Sequence, residues 1–222
     1  MKMNRNPRGF TLIELLVVIT IIAMLAAGAY AGYGALMPGI RAKQAASQCT
    51  TIHKWLTTYA LDQGGAFPIG DSANLAYREL FKLNIGADEK QFATVPQDQY
   101  HNAAKDHKPD GDIGREPDFS QALETGENAF AYVSGLSNSS LGRLPLIANG
   151  FAGQPGVWSK TKSEKGGVFQ GKYGVVCRVS GSSAAHDLSD DLMVKERQGG
   201  QEVNIFSEGF SPDEPFNVVN PL

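Results

Sequence analysis

The 222-residue chain is 42% hydrophobic and 19% charged, which fits one globular body plus a membrane segment. Its 20 basic and 23 acidic side chains leave a net charge of −3, so composition gives no reason to expect nucleic acid as a partner. Cys49 and Cys177 lie far apart with no CxxC spacing, which leaves no support for a zinc knuckle or a thioredoxin-type motif.

In chain order, the first element is a short basic leader, MKMNRNPRG, residues 1–9. Lys2, Arg5 and Arg8 all fall in it; removing these three from the 20 leaves 17 basic against 23 acidic, or −6. Basic residues beside an apolar run hold that flank on the cytoplasmic side. The run itself, residues 10–37, is FTLIELLVVITIIAMLAAGAYAGYGALM. About 20 helical residues cross a hydrocarbon core, so it is long enough to span. Glu14 is the single charged side chain between Phe10 and Pro38. An ionisable group at mid-bilayer costs about 2.5 kcal/mol or more, so Glu14 demands a partner. An ordinary secretory signal and a plain uncleaved anchor are the other readings of this segment. "AAGAYA", 26–31, would serve a signal peptidase. The length of the apolar run and Glu14 argue against a simple signal.

Gly28, Gly32, Gly34 and Pro38 cluster at the far end and predict a kink or a loosened helix there. Past Pro38, Ala42, Ala45, Ala46, Cys49, Ile52, Leu56, Tyr59 and Ala60 recur at spacings of three and four. That is one face of an amphipathic helix, which must pack on something. Gly64, Gly65 and Pro68 predict its end. A second helix is predicted over 72–83, capped by Ser72, with Leu75, Leu80, Phe81 and Leu83 as its apolar side. Residues 94–121, with Pro96, Pro109 and Pro117, read as a long surface loop. Strands are expected at 128–136 and 144–151, paired with each other. Two more are expected within 167–181 around a turn near Gly171, and a last one at 202–208 before a loose tail.

Several groups invite a chemical reading. His101, Asp106, His107, Asp110 and Asp112 gather in 100–114 but do not match an EF-hand loop, and a solvated loop is the preferred reading. The serines of 135–142 form no nucleophile elbow, and KTKSEKGG, 160–167, is no phosphate loop. His53, Trp55 and Trp158 read as packing residues. A disulfide between Cys49 and Cys177 is allowed if the body lies outside the cytoplasm. Closing that loop of about 130 residues would contribute roughly 4–5 kcal/mol in the chain-entropy picture. Two buried free thiols are the alternative.

The stretch Gly9-Phe10-Thr11-Leu12-Ile13-Glu14, behind its basic leader, resembles the prepilin-peptidase signal of type IV pilins and type II secretion pseudopilins. The resemblance is strong over residues 1–37. It implies cleavage between Gly9 and Phe10 and N-methylation of Phe10 by prepilin peptidase. It also implies that Glu14 meets the Phe10 amine of a neighbouring subunit in an assembled filament. The implied fold is α+β and pilin-like: a long N-terminal helix, membrane-spanning in its first half, packed on an antiparallel β-sheet. The implied organisation is a leader at 1–9, a transmembrane and filament-core helix at 10–37, and a globular periplasmic or extracellular domain at 38–222. YALDQGGAFP, 59–68, resembles the helix end of several pseudopilins. Pro38 lies deeper than the usual early proline of the family, and the two cysteines do not match the usual C-terminal pair. Some major pseudopilins hold calcium in a C-terminal acidic loop, so Asp187, Asp190 and Asp191 are the cation candidates; no other cofactor is expected.

The resulting expectation is a structural, non-enzymatic subunit of a type IV filament system. It would serve a type II secretion pseudopilus or a minor type IV pilus in the bacterial inner membrane. Its partners would be prepilin peptidase, other pilin or pseudopilin subunits and the inner-membrane assembly platform, with no nucleic acid. The alternative is a membrane-anchored extracytoplasmic binding protein, for adhesion or substrate recognition, that uses a pilin-type leader.

Overall fold

The computed structural model describes residues 10–93, 98–100 and 109–222, with the backbone alone at 31, 32 and 35. Its contacts divide the chain into two units, Met1–Met37 and Pro38–Leu222. Helix α1, Leu12–Asp62, is common to both.

In the first unit, Leu12–Tyr30 is long and apolar enough to cross a membrane, and none of it is buried within the chain. Leu, Ile and Val side chains project on all sides. A helix that is apolar all round is one whose environment comes from elsewhere, from lipid or from other chains. Residues 28–38 remain helical, with Pro38 inside α1 and its missing amide leaving one helical pair unmade. A Cβ at Gly28 or Gly34 would meet nothing within 4 Å, so this chain's own packing does not call for glycine there.

In the second unit, the amphipathic stripe is buried as its spacing predicts. Ala42, Ala45, Cys49, Ile52, Leu56 and Ala60 are each at most 1% exposed. Small side chains at the near end let the helix lie close to what it covers. The helix ends at Asp62, and Gly64 and Gly65 follow at φ 65° and 98°, the left-handed region that glycine enters most readily.

What α1 covers is a five-stranded antiparallel sheet. In chain order the strands are β1 (Phe130–Ser134), β2 (Pro145–Asn149), β3 (Tyr173–Arg178), β4 (Ser183–Asp187), β5 (Lys195–Gln198), β6 (Gln201–Asn204) and β7 (Asn217–Val219). The main sheet has the order β4-β3-β2-β1-β7, while β5 and β6 form a separate two-stranded ribbon. Registered pairs carry one row across it: Ser183 with Cys177, Cys177 with Ile147, Ile147 with Tyr132, and Tyr132 with Val219. Directly opposed residues share a sheet face, so these side chains form one face. Helix α1 is tied to that face by the Ser183 hydroxyl, which donates to the Ala46 carbonyl at 2.7 Å, and by His53 Nε2, 2.9 Å from the Val179 carbonyl. The α+β class and the expected pilin-like order, an apolar helix continuing into an amphipathic one with an antiparallel sheet, are therefore found.

Helix α2, Ala73–Lys82, starts where Ser72 predicts, with the Leu75 amide donating to the Ser72 hydroxyl at 3.2 Å. Its buried face differs from the expected one. Leu75 is 39% exposed, while Asn74, Tyr77, Leu80 and Phe81 point inward. Tyr77 stacks obliquely on Phe92 and Tyr132 and donates its hydroxyl to Ala131 on β1. Buried Asn74 is fully used. Its amide donates to the carbonyls of Leu123 and Glu124, and its Oδ1 accepts from Asn128 and from the Leu222 backbone.

The predicted pair β1–β2 is found, as is the strand at 173–178. Residues 167–172, read as a strand, are turns instead. The strand expected at 202–208 is found as β6, shorter and in the ribbon, while β4, β5 and β7, in the supposed tail, were not foreseen. Trp158 is buried against Phe151 and Phe206, and Trp55 stacks on Phe92, so both tryptophans pack as read. Of the stretch 94–121, residues 94–97 and 101–108 lie outside the described residues, among them His101, Asp106 and His107.

Candidate functional site

The local chemistry of the N-terminus is set by the four residues Thr11-Leu12-Ile13-Glu14. Thr11 stands just before the first helical residue. Its hydroxyl accepts from the Glu14 amide at 3.3 Å, and Glu14 Oε2 accepts from the Thr11 amide at 2.8 Å. This is a reciprocal capping box, which satisfies two of the amides a helix start leaves unpaired. The Thr11 hydroxyl also donates to the same carboxylate oxygen at 2.7 Å. Reading Glu14 only as a charge in search of a partner missed this contact. The signal was present as T-x-x-E ahead of an apolar run.

The capping box fixes where the charge sits. Glu14 is held in the first turn of α1, beside the start of the chain that cleavage after Gly9 would create, and its other oxygen remains open to a second donor. A helix N-terminus also favours a carboxylate through its exposed amides. Phe10 is 79% exposed, and Gly9 lies outside the described residues.

The remaining sequence candidates fall in the second unit. Cys49 and Cys177 are free thiols, both fully buried. Burial pushes both thiols up, Cys177 to about 12, and each also feels the other or its polar neighbours. Asp187 closes β4, and Asp190 and Asp191 lie in the turn that follows. Asp191 is engaged by Lys195 and by the Ser189 hydroxyl, which holds its carboxyl below the usual range. Among the described residues these three aspartates do not converge on one point.

A different acidic group does converge. Carboxylate oxygens of Glu89, Asp110 and Glu127 all lie within 4.8 Å of one another. Glu89 and Glu127 are buried, and Asp110 is exposed. Glu89 accepts the amides of Leu123 and Gly111, and Glu127 accepts that of Glu124. Burial, together with the carboxylates of Glu89, Asp110 and Glu124, pushes Glu127 up to about 7. Burial also raises Glu89, against the pull of its two amide donors. These are oxygen donors of the kind a hard divalent cation takes, or two acids that share a proton. Asp110 was noticed in the sequence. Glu89 and Glu127 were not, because nothing local marks residues that only the fold brings together.

Against known proteins, residues 4–30 match the family model described as the prokaryotic N-terminal methylation motif. That match covers residues 4–9 of the basic leader, Phe10, the capping box and the membrane-length run as far as Tyr30. No curated protein and no solved structure matches the chain.

Proposed function

This chain opens with the leader motif of type IV pilins and pseudopilins, and from that premise we propose that it is a structural subunit of a type IV filament system. Prepilin peptidase cuts between Gly9 and Phe10 and methylates the new amine. The apolar half of α1 holds the chain in the inner membrane, with the leader in the cytoplasm and the body from Pro38 onward in the periplasm. The same helix then moves into a filament core and packs against copies of itself or related subunits.

The observation that carries this reading is Glu14, a carboxylate in the first turn of an unburied apolar helix, inside the matched N-terminal methylation motif. In a filament core of low dielectric, an unpaired carboxylate is far costlier than a carboxylate–ammonium pair at short range. A neighbour's Phe10 amine supplies that charge in only one register. The pair therefore selects how subunits stack, and the intramolecular cap holds the carboxylate until the exchange.

Within filament systems, the helix end at Tyr59–Pro68 favours a pseudopilus, and the long body favours a minor or specialised subunit. The test is the mass of the N-terminal peptide of protein taken from its own cells. A chain beginning at methylated Phe10 is expected. A chain still beginning at Met1 overturns the proposal, as does normal cleavage of a Gly9→Leu variant.

A further inference from the structure

The two cysteines lie on the two elements that meet where α1 covers the sheet, Cys49 on α1 and Cys177 on β3. Cys177 belongs to the registered row Ser183–Cys177–Ile147–Tyr132, whose face α1 covers. On one side of Cys49, the Ala46 carbonyl accepts from Ser183, the residue directly opposite Cys177. On the other side, one turn on, His53 reaches the Val179 carbonyl, two residues beyond Cys177. Cys49 lies between Ala46 and His53 on the buried helix face, and so over Cys177. Both side chains are fully buried in one core cluster.

We propose that Cys49 and Cys177 are the two ends of a cross-link that fastens α1 to β3, made by exchange with a disulfide-bearing thiol oxidant before the core closes. The proposal rests on the reading that the body lies outside the cytoplasm, where such oxidants act. In the exchange, one cysteine thiolate opens the oxidant's disulfide and forms a mixed disulfide. The second thiolate displaces it. One S–S bond forms in the chain, one is lost from the oxidant, and two protons and two electrons leave with the oxidant's dithiol. The timing follows from burial. Once folded, neither thiol is exposed and both resist ionisation, so neither is an effective nucleophile. The bond therefore records the compartment in which the chain folded.

The experiment has two arms on the full chain. Protein from its own cells is denatured with an alkylating reagent and no reductant. Uptake of label at neither cysteine until reductant is added is expected, and label on both without reductant overturns the cross-link in the cell. Separately, the purified chain in detergent is refolded in a glutathione redox mixture. The bond is expected to form there, and to form at least about tenfold more slowly when the reduced chain is folded first. Failure to form it in either order overturns the pairing itself. A bond that forms in the tube while cellular protein stays reduced overturns the compartment premise and leaves the geometry standing.

Discussion

At the scale of single residues, Glu14 has two tasks in succession: it caps its own helix, and in the proposed filament it neutralises a neighbour's amine. A variant that lacks the carboxylate removes both. Glu14→Ala is expected to be cleaved and methylated normally yet to enter filaments at least about tenfold less well, a loss of roughly 1.4 kcal/mol per subunit. Quantitative blotting of sheared filaments against membranes measures this, and incorporation equal to wild type would end the charge-pairing account. Glu127 offers a second residue-level test. Its folded value near 7 lies above the ordinary 4.5, so the folded state holds the proton more tightly than the unfolded chain. That contribution to stability is complete below about pH 4.5 and is lost as pH rises through about 7. The denaturation midpoint is expected to fall from about pH 5 to about pH 8, with Glu89 adding in the same direction. Glu127→Gln should flatten the profile; an equally steep profile in that variant would remove Glu127 as its cause.

At the scale of elements, the buried stripe of α1 is where stability concentrates. Leu56 is fully buried, and Leu56→Ala is expected to destabilise the body by about 2–5 kcal/mol. Leu61, on the same helix but 74% exposed, should cost less than about 0.5 kcal/mol when changed to Ala. Equal effects in chemical denaturation would mean that the helix packs by another face. Elements differ in how legible they are for a related reason. The stripe of α1, the cap of α2 and the buried runs FAYVS and PLIAN each declare themselves through apolar spacing or a capping residue. SAAHD, KERQ and NVV do not. They are short and half-exposed, and lie at a sheet edge or in a ribbon, where a partner strand's amides and carbonyls make them strands. Conversely, 167–172 has strand-like residues, but Gly171 sits at φ 66° and the segment turns.

At the scale of the whole molecule, the division after Met37 separates a helix unburied over Leu12–Tyr30 from a body with its own core. The chain from Pro38 onward is expected to fold alone, remain soluble without detergent and unfold in one cooperative transition. Differential scanning calorimetry checks this; a broad transition or aggregation in the absence of residues 10–37 would show that the body depends on the apolar helix.

The sequence by itself determined the leader, the membrane-length run with its one acid, the amphipathic continuation and the α+β class. Each of these is a matter of composition or of spacing along one segment, and such signals are local. The strand order, the capture of the C-terminal residues by Asn74 and β1, the meeting of Glu89 with Glu127, and the placement of Cys49 over Cys177 were decided by the tertiary structure alone. Those contacts join residues tens of positions apart, and no local pattern encodes which distant backbone or side chain arrives once the core has formed.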